Sequence, residues 1–352
     1  MRLTSCLLAG CLSLISLPSV AETVNNLYQV REPVSGQTPD EKTRATQAAL
    51  ETLVIRLTGD TKAAQGSGLA AVRGDPQQII SQYGYEAGPP ESLLVDFDPV
   101  STDRTLRGAG LSLWGSNRPV ILAWWLNDTT DGSNLVGDGQ GSAEPLRRAA
   151  QHRGLPLRLP LADLGEQSMG NAKALESNDV GPLKTASERY GSDAILAVHA
   201  VENAGQWQGK WHLWLGDQRE QGTATGTSAD TLADAVLLAV TQRLAPKFVV
   251  KPGASSSMAL EVQGMTLERY AQLARLLEPF GGRLKSVTAD HVVFDVSGSP
   301  DQIRSQLSLA KLQEVPAGEL APAAPVTPDQ PAVAGAAPTI QPVSAPQLHF
   351  RW

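Results

Sequence analysis

Cysteine is almost absent: Cys6 and Cys11 are the only two in 352 residues, and both fall in the first apolar stretch. Once that stretch is removed, no thiol remains for a disulfide, a nucleophile or a thiolate metal site. Domains below about 80 residues need such staples, but a chain of this length can bury enough surface without them. Basic blocks are also missing. The 29 Lys and Arg against 36 Asp and Glu give a net charge of −7, which makes nucleic acid and anionic membranes poor partners. Past residue 21 no run approaches the roughly 20 apolar residues that span a bilayer, so no transmembrane segment is expected in the mature chain. The five histidines, His152, His199, His212, His291 and His349, include no pair at zinc-ligand spacing. Nucleophile-elbow, Walker-A and dinucleotide fingerprints are absent as well. No cofactor, metal or catalytic constellation is therefore expected.

What is present begins with an export signal. Arg2 is the only charge before Glu22, Cys6 to Leu17 is a short apolar core, and Pro18 breaks it. Ser19-Val20-Ala21 supplies the small residues that a signal peptidase reads, which puts the cut between Ala21 and Glu22. A competing signal, Leu8-Ala9-Gly10-Cys11, matches the box that directs lipid to a cysteine. Cutting before Cys11 would strand Leu12 to Leu17 on the mature chain, so cleavage after Ala21 is preferred.

The remainder, 41% hydrophobic and 18% charged, suits a folded protein and reads as α+β. Residues 22–90 form an N-terminal βα domain. Leu27 to Val30 is a strand, and Thr38-Pro39-Asp40-Glu41 opens a helix with Ala45, Ala49, Leu50, Leu53, Val54 and Leu57 on its buried stripe. A second helix is expected around Ile79, Ile80 and Tyr83. Residues 91–252 form a central α/β domain. The run Pro119 to Leu126 reads as an interior strand covered on both faces. Asn127 to Ser142 reads as a polar loop, Leu146 to His152 as a helix and Leu155 to Leu161 as a strand. Ala194 to Thr227 reads as an antiparallel meander, followed by a helix over Thr231 to Leu244. Residues 256–315 read as strand-helix-strand-strand-helix, a ferredoxin-like unit lacking one strand. A Pro/Ala-rich linker, 316–346, precedes a strand at 347–352 in which Leu348, Phe350 and Trp352 alternate with His349 and Arg351.

Candidate chemistry is sparse. Asp96 and Asp98 share a parity and are the one carboxylate pair suited to acid–base work, although alternation with Val95 and Phe97 also suits a solvent-facing edge. Asp128-Thr129-Thr130-Asp131-Gly132 lacks calcium-loop spacing and reads as a turn. Trp207, Trp211, Leu213 and Leu215 share the core face of one strand. Trp214 lies among polar neighbours on the other, and with Trp352 it is a candidate contact surface.

Several stretches act together as a signature. They are Leu27-Tyr28-Gln29-Val30; Leu53-Val54-Ile55-Arg56-Leu57-Thr58-Gly59; Trp114-Gly115-Ser116-Asn117-Arg118-Pro119 before Trp124-Trp125-Leu126; Arg153-Gly154-Leu155-Pro156; Leu159-Pro160-Leu161-Ala162-Asp163; and Arg189-Tyr190-Gly191-Ser192-Asp193-Ala194-Ile195-Leu196. Between about 25 and 250 the chain thereby resembles a family of exported proteobacterial proteins known only as domain of unknown function 2066. The resemblance implies no activity, cofactor or catalytic residue. Gly165-Glu166-Gln167 is less acidic than the family pattern, and the Pro/Ala-rich stretch resembles an insertion. Residues 119–245 also resemble, in fold only, small α/β domains of envelope assembly proteins such as the amino-terminal domain of the Tol-system propeller protein.

The expected function is that of a periplasmic, non-catalytic binding or assembly accessory of the Gram-negative envelope, with another envelope protein as partner. The alternatives are a hydrolase using Asp96 and Asp98, and an outer-membrane lipoprotein anchored at Cys11. Cleavage after Ala21 predicts a mature chain beginning Glu22-Thr23-Val24. Intact-mass measurement of the periplasmic fraction checks this, and a species beginning at a lipid-modified Cys11 contradicts it.

Overall fold

The helix opening at Thr38 forms as its residues dictate. Thr38 caps it by accepting from the Glu41 N–H, Pro39 fits the first turn, and Gly59 closes it in the left-handed region. This helix belongs to a computed structural model that describes residues 24, 26–88, 90–249, 256–288, 290–316 and 347–352. The signal segment 1–21, Cys6, Cys11, the Ala21–Glu22 cut and the 317–346 part of the linker lie outside the described residues. The chain is α+β, with helices packed on several separate sheets.

The N-terminal unit comprises β1 (Gln29–Pro33), α1 (Pro39–Thr58), α2 (Ala70–Gly74), β2 (Ile80–Glu86), β3 (Ser92–Phe97) and α3 (Pro99–Gly108). Its three strands run antiparallel in the order β1-β3-β2, and α1 packs Ala49, Leu53 and Leu57 against Val30, Leu93, Val95 and Phe97. Two expectations are corrected here. The second helix is instead a 3₁₀ turn at Pro76–Ile79 followed by β2. Pairing with β3 sets Tyr83 opposite Val95 and Tyr85 opposite Leu93, and this tertiary partner overrides a short helical spacing. The boundary expected at 90 also moves, because β3 completes the N-terminal sheet and its core extends through Leu106 to Leu113.

The central unit comprises β4 (Ile121–Thr129), β5 (Gly132–Leu135), α4 (Glu144–Arg153), β6 (Leu157–Arg158), α5 (Leu164–Met169), α6 (Ala172–Leu175) and α7 (Gly181–Ser187). It continues with β7 (Ala194–Asn203), β8 (Gln206–Leu215), β9 (Gln218–Gly226) and α8 (Ala229–Phe248). Its sheet runs β5-β4-β7-β8-β9, with β6 beside β4. β4 is parallel to β7 and is buried over Ile121 to Leu126, as an interior strand should be. On one face, α4 and α8 cover Ile121, Ala123, Trp125, Leu196 and Val198. On the other, α6 and α7 cover Leu122, Trp124, Ala197 and Trp214. Trp214 is therefore only 7% exposed, and its assignment to a contact surface is corrected: a second helical layer buries that side of β8. The expected polar loop at 127–142 begins instead as a β4–β5 hairpin, and the strand expected over 155–161 shrinks to β6.

The C-terminal unit comprises β10 (Ser256–Gln263), α9 (Leu267–Leu277), β11 (Arg283–Val287), β12 (His291–Gly298), α10 (Pro300–Leu309), β13 (Gln313–Glu314) and β14 (Gln347–Arg351). Its sheet order is β11-β12-β10-β14-β13. The C-terminal hexapeptide joins this sheet, with Leu348 and Phe350 buried in the core, but it runs parallel to β10. A fourth strand following α10 in a ferredoxin-like unit would run antiparallel to β10. That direction belongs to the short β13, which β14 separates from β10. Trp352 is half-buried on the same core, with the Arg269 guanidinium 5.8 Å from its ring centroid, so much of this candidate contact residue is already covered. Burial of Leu348 and Phe350 contributes about 1.5–3 kcal/mol each. Deleting Leu348 to Trp352 should cost the C-terminal unit several kcal/mol in urea unfolding; an unchanged curve would refute the strand assignment.

Candidate functional site

Two arginines with almost no solvent exposure join the first two units. Arg56 lies in the last turn of α1 and Arg118 just ahead of β4, 2% and 0% exposed respectively. Arg118 donates to five carbonyls, matching the five N–H groups of a guanidinium. Nη2 reaches Arg56 O at 2.7 Å and Trp114 O at 3.1 Å. Nη1 reaches Arg153 O at 3.2 Å and Gly154 O at 3.1 Å, and Nε reaches Gly115 O at 3.1 Å. Arg56 in turn donates to Gln29 O at 2.7 Å, Leu27 O at 2.9 Å and His152 O at 3.2 Å. No carboxylate is needed beside Arg118. The carbonyls of Arg56 and Arg153 lie at the C-terminal ends of α1 and α4, where two helix dipoles place partial negative charge. Burial pushes the Arg118 guanidinium down to about 9 and Arg56 down to about 10, so both remain charged at neutral pH.

The neighbouring residues fit around these cations. The Arg118 guanidinium lies 4.2 Å from the Trp114 ring centroid, and Trp114 stacks on Phe248 of α8 at 5.6 Å. Gly154 ends α4 at φ +64°, where an added Cβ would sit 2.8 Å from Arg56 Cγ and 3.2 Å from Arg118 Nη1. Leu-Val-Ile-Arg-Leu-Thr-Gly, Trp-Gly-Ser-Asn-Arg-Pro and Arg-Gly-Leu-Pro thus meet at one point. Their common requirement is a buried, carbonyl-lined cation.

This joint holds open a cleft of about 630 Å³ between the outer face of the N-terminal sheet and α4 and α8. Gln29, Arg31, Pro33, Leu94 and Glu86 line the first wall; Pro145, Arg148, Gln151, His152, Asp230 and Asp234 line the second. Arg31 pairs with Glu86 and donates to Gln151 Oε1 across the cleft at 2.9 Å, while Arg148 pairs with Asp230. Cations and anions alternate around the opening. That pattern is complementary to a ligand carrying both charges and offers no concentrated field for a polyanion.

At the floor, His152 stands between carboxylates of both walls. Nε2 is 3.2 Å from Glu32 Oε1 and Nδ1 is 3.2 Å from Asp234 Oδ1. Thr52 Oγ1 donates to Glu32 Oε1 at 2.7 Å and lies 3.0 Å from His152 Nε2. Thr52, His152 and Asp234 superficially suggest a nucleophilic triad. Thr52, however, is buried on α1 outside the cleft lining, and its hydroxyl proton is engaged by Glu32. A substrate in the cleft does not meet that oxygen.

The predicted dyad does not assemble. Asp96 accepts from Gln29 and Gln82 on the sheet face, at 2.7 and 2.8 Å. Asp98 lies past the strand end and caps α3. Bonds from the Ser101 hydroxyl and N–H hold its carboxyl below the usual range. His199, within β7, sits between Glu176 and Asp128 of β4, and Asp128 to Gly132 forms the hairpin turn. Among the described residues no group of three His, Cys, Asp or Glu side chains is placed to hold a metal. Sequence reasoning passed over Arg56, Arg118 and His152. The sequence holds one clue: Arg56 interrupts the apolar run Leu53-Val54-Ile55 and Leu57, and a helix apolar on all sides is buried and must satisfy any charge it carries internally.

A family model described as a domain of unknown function (DUF8605) matches residues 21–115, ending at the Trp114–Gly115 corner of the joint. No curated protein and no solved structure matches the chain. The joint makes its own prediction. Arg118→Met retains much of the stem but leaves five buried carbonyls without their donor, each worth about 1–3 kcal/mol. Urea unfolding should show a loss of at least about 3 kcal/mol, and a loss below 1 kcal/mol would show that the cation is dispensable.

Proposed function

We propose that this protein is a non-catalytic binding or assembly accessory of the Gram-negative envelope, and that its binding site is the cleft between the N-terminal sheet and α4. The observation that carries this reading is the cleft itself, whose walls present paired charges of both signs, together with Pro33, Leu94 and Pro145, around an opening sized for a few residues of another chain. The ligand it suits is a short polar segment bearing both an acidic and a basic group, as a peptide of another envelope protein would. The signal-like segment 1–21 and the resemblance to exported proteobacterial family 2066 support work in the periplasm. Asp96 and Asp98 are each engaged by local partners, Gln29 and Gln82 for one and Ser101 for the other, which favours the binding reading over the hydrolase alternative.

A photocrosslinking residue at Arg148 tests the site, with one at Lys173 as the control away from it. Adducts should form in the periplasm from position 148 and not from 173, and should disappear when Leu94→Trp fills the cleft. The same adducts from both positions, or adducts indifferent to Leu94→Trp, would overturn the assignment.

A further inference from the structure

We infer that His152 is a proton-operated clasp between the two walls of the cleft, closed when its imidazole carries both protons and loosened when it loses one. The inference goes beyond the binding reading and does not depend on it, because the clasp acts on the protein's own joint.

The number of imidazole hydrogens sets the state of the clasp. His152 Nδ1 faces Asp234 of α8 and Nε2 faces Glu32 of β1, each at 3.2 Å, so an N–H on each nitrogen satisfies one carboxylate from each unit. A neutral imidazole has a single N–H. If it lies on Nδ1, the Nε2 lone pair faces the Glu32 carboxylate. Thr52 could then turn its hydroxyl toward Nε2, 3.0 Å away, but its 2.7 Å bond to Glu32 would be lost. If the proton lies on Nε2, Asp234 loses its imidazole donor and keeps Arg153. The Nδ1–H tautomer thus turns the Glu32 contact across the joint repulsive, whereas the Nε2–H tautomer keeps it without the imidazolium charge and leaves Asp234, on the same wall as His152, without its imidazole donor.

The other charged groups packed around the ring are Arg153 of α4 and Arg56 of α1, whose Nε donates to the His152 carbonyl. Burial and the Arg153 charge both oppose the imidazolium. The bonds to Asp234 and Glu32 outweigh them, and the His152 pKa is raised above its ordinary value. A raised folded-state value gives stability that is fully present below the unfolded pKa of about 6.5 and is lost as pH rises through the folded value. Asp234 acts at the other end of the range. Burial opposes its charge, but His152 and Arg153 hold its pKa below the ordinary value. Its contribution is present above about 3.9 and fades as pH falls through the lowered value. The clasp is therefore closed in mildly acidic conditions and loosens toward alkaline ones, a use of histidine suited to pH sensing.

Proton NMR of the full chain, with the His152 Cε1–H signal assigned by its absence in His152→Gln, tests the clasp directly. The titration midpoint should lie above 6.5 and should fall in Glu32→Gln, which removes one carboxylate. In parallel, the urea midpoint of the wild type should decrease as pH rises above about 6.5, and His152→Gln should lose most of that decrease. A wild-type midpoint at or below 6.5 would overturn the clasp, as would equal pH dependence in wild type and His152→Gln. If either variant fails to fold, the wild-type titration with the His152 signal assigned through His152→Asn decides the matter, since the proposal requires that midpoint above 6.5.

Discussion

A guanidinium sealed from water must be surrounded by acceptors, and in this chain that requirement governs how the N-terminal and central units meet. Arg118 has no exposure and takes its acceptors from Trp114, Gly115, Arg56, Arg153 and Gly154. Two helices must therefore end beside it, and the chain between Trp114 and Arg118 must fold back on itself. Removing the donor alone is more damaging than never having buried it, because the stranded carbonyls remain desolvated. Close packing then follows. Gly154 is kept small by the Arg56 stem, and Gly59 at the end of α1 approaches Ala245 so closely that an added Cβ would sit 2.1 Å from the alanine Cβ. A cation chosen for the joint thus fixes residues on α1, α4 and α8 together.

The cleft is a consequence of that joint. With α1 and α4 pinned at their C-terminal ends, the outer face of β1 and β3 and the exposed side of α4 face one another across a gap lined by polar side chains and bridged by Arg31 to Gln151. Ion pairs at the opening are exposed and contribute little to stability, which leaves them free to exchange partners with a ligand. The Glu32–His152 contact differs because the Glu32 side chain is only 11% exposed, so water competes less for it. The C-terminal unit stands apart from this arrangement. It meets the central unit through α10 against α8, and Lys311 reaches Asp193 at 3.1 Å.

Much of the fold was legible in the sequence where local chemistry decides. Thr38 marks the start of α1, the helix read over Thr231 to Leu244 lies within α8, and the unbroken apolar run at Ile121 to Leu126 reads correctly as a strand covered on both sides. Alternation in the last residues identified a strand, although nothing local could say that it runs parallel to β10. Misreadings arose where a distant partner decides. Tyr83 and Tyr85 became a strand because β3 was available to pair with them, and Trp214 became core because α6 and α7 cover β8. The site was the least legible part. His152 meets Glu32 across the joint and Asp234 on the neighbouring α8, and a lone histidine in a helix carries no sign of partners so far away in sequence. Arg56, Trp114-Gly115, Arg118 and Arg153-Gly154 were visible in the sequence, but only the fold explains them as contributions to one buried cation.

If the arginine joint makes the first two units a single cooperative body, their slowest-exchanging amides should open together. Native-state hydrogen exchange as a function of urea measures this. The amides of Leu50 to Leu57 in α1 and of Ile121 to Leu126 in β4 should converge on one opening free energy. Exchange from α1 at a much lower free energy while β4 stays protected would show that the units are merely adjacent, and the account built on Arg118 would fail.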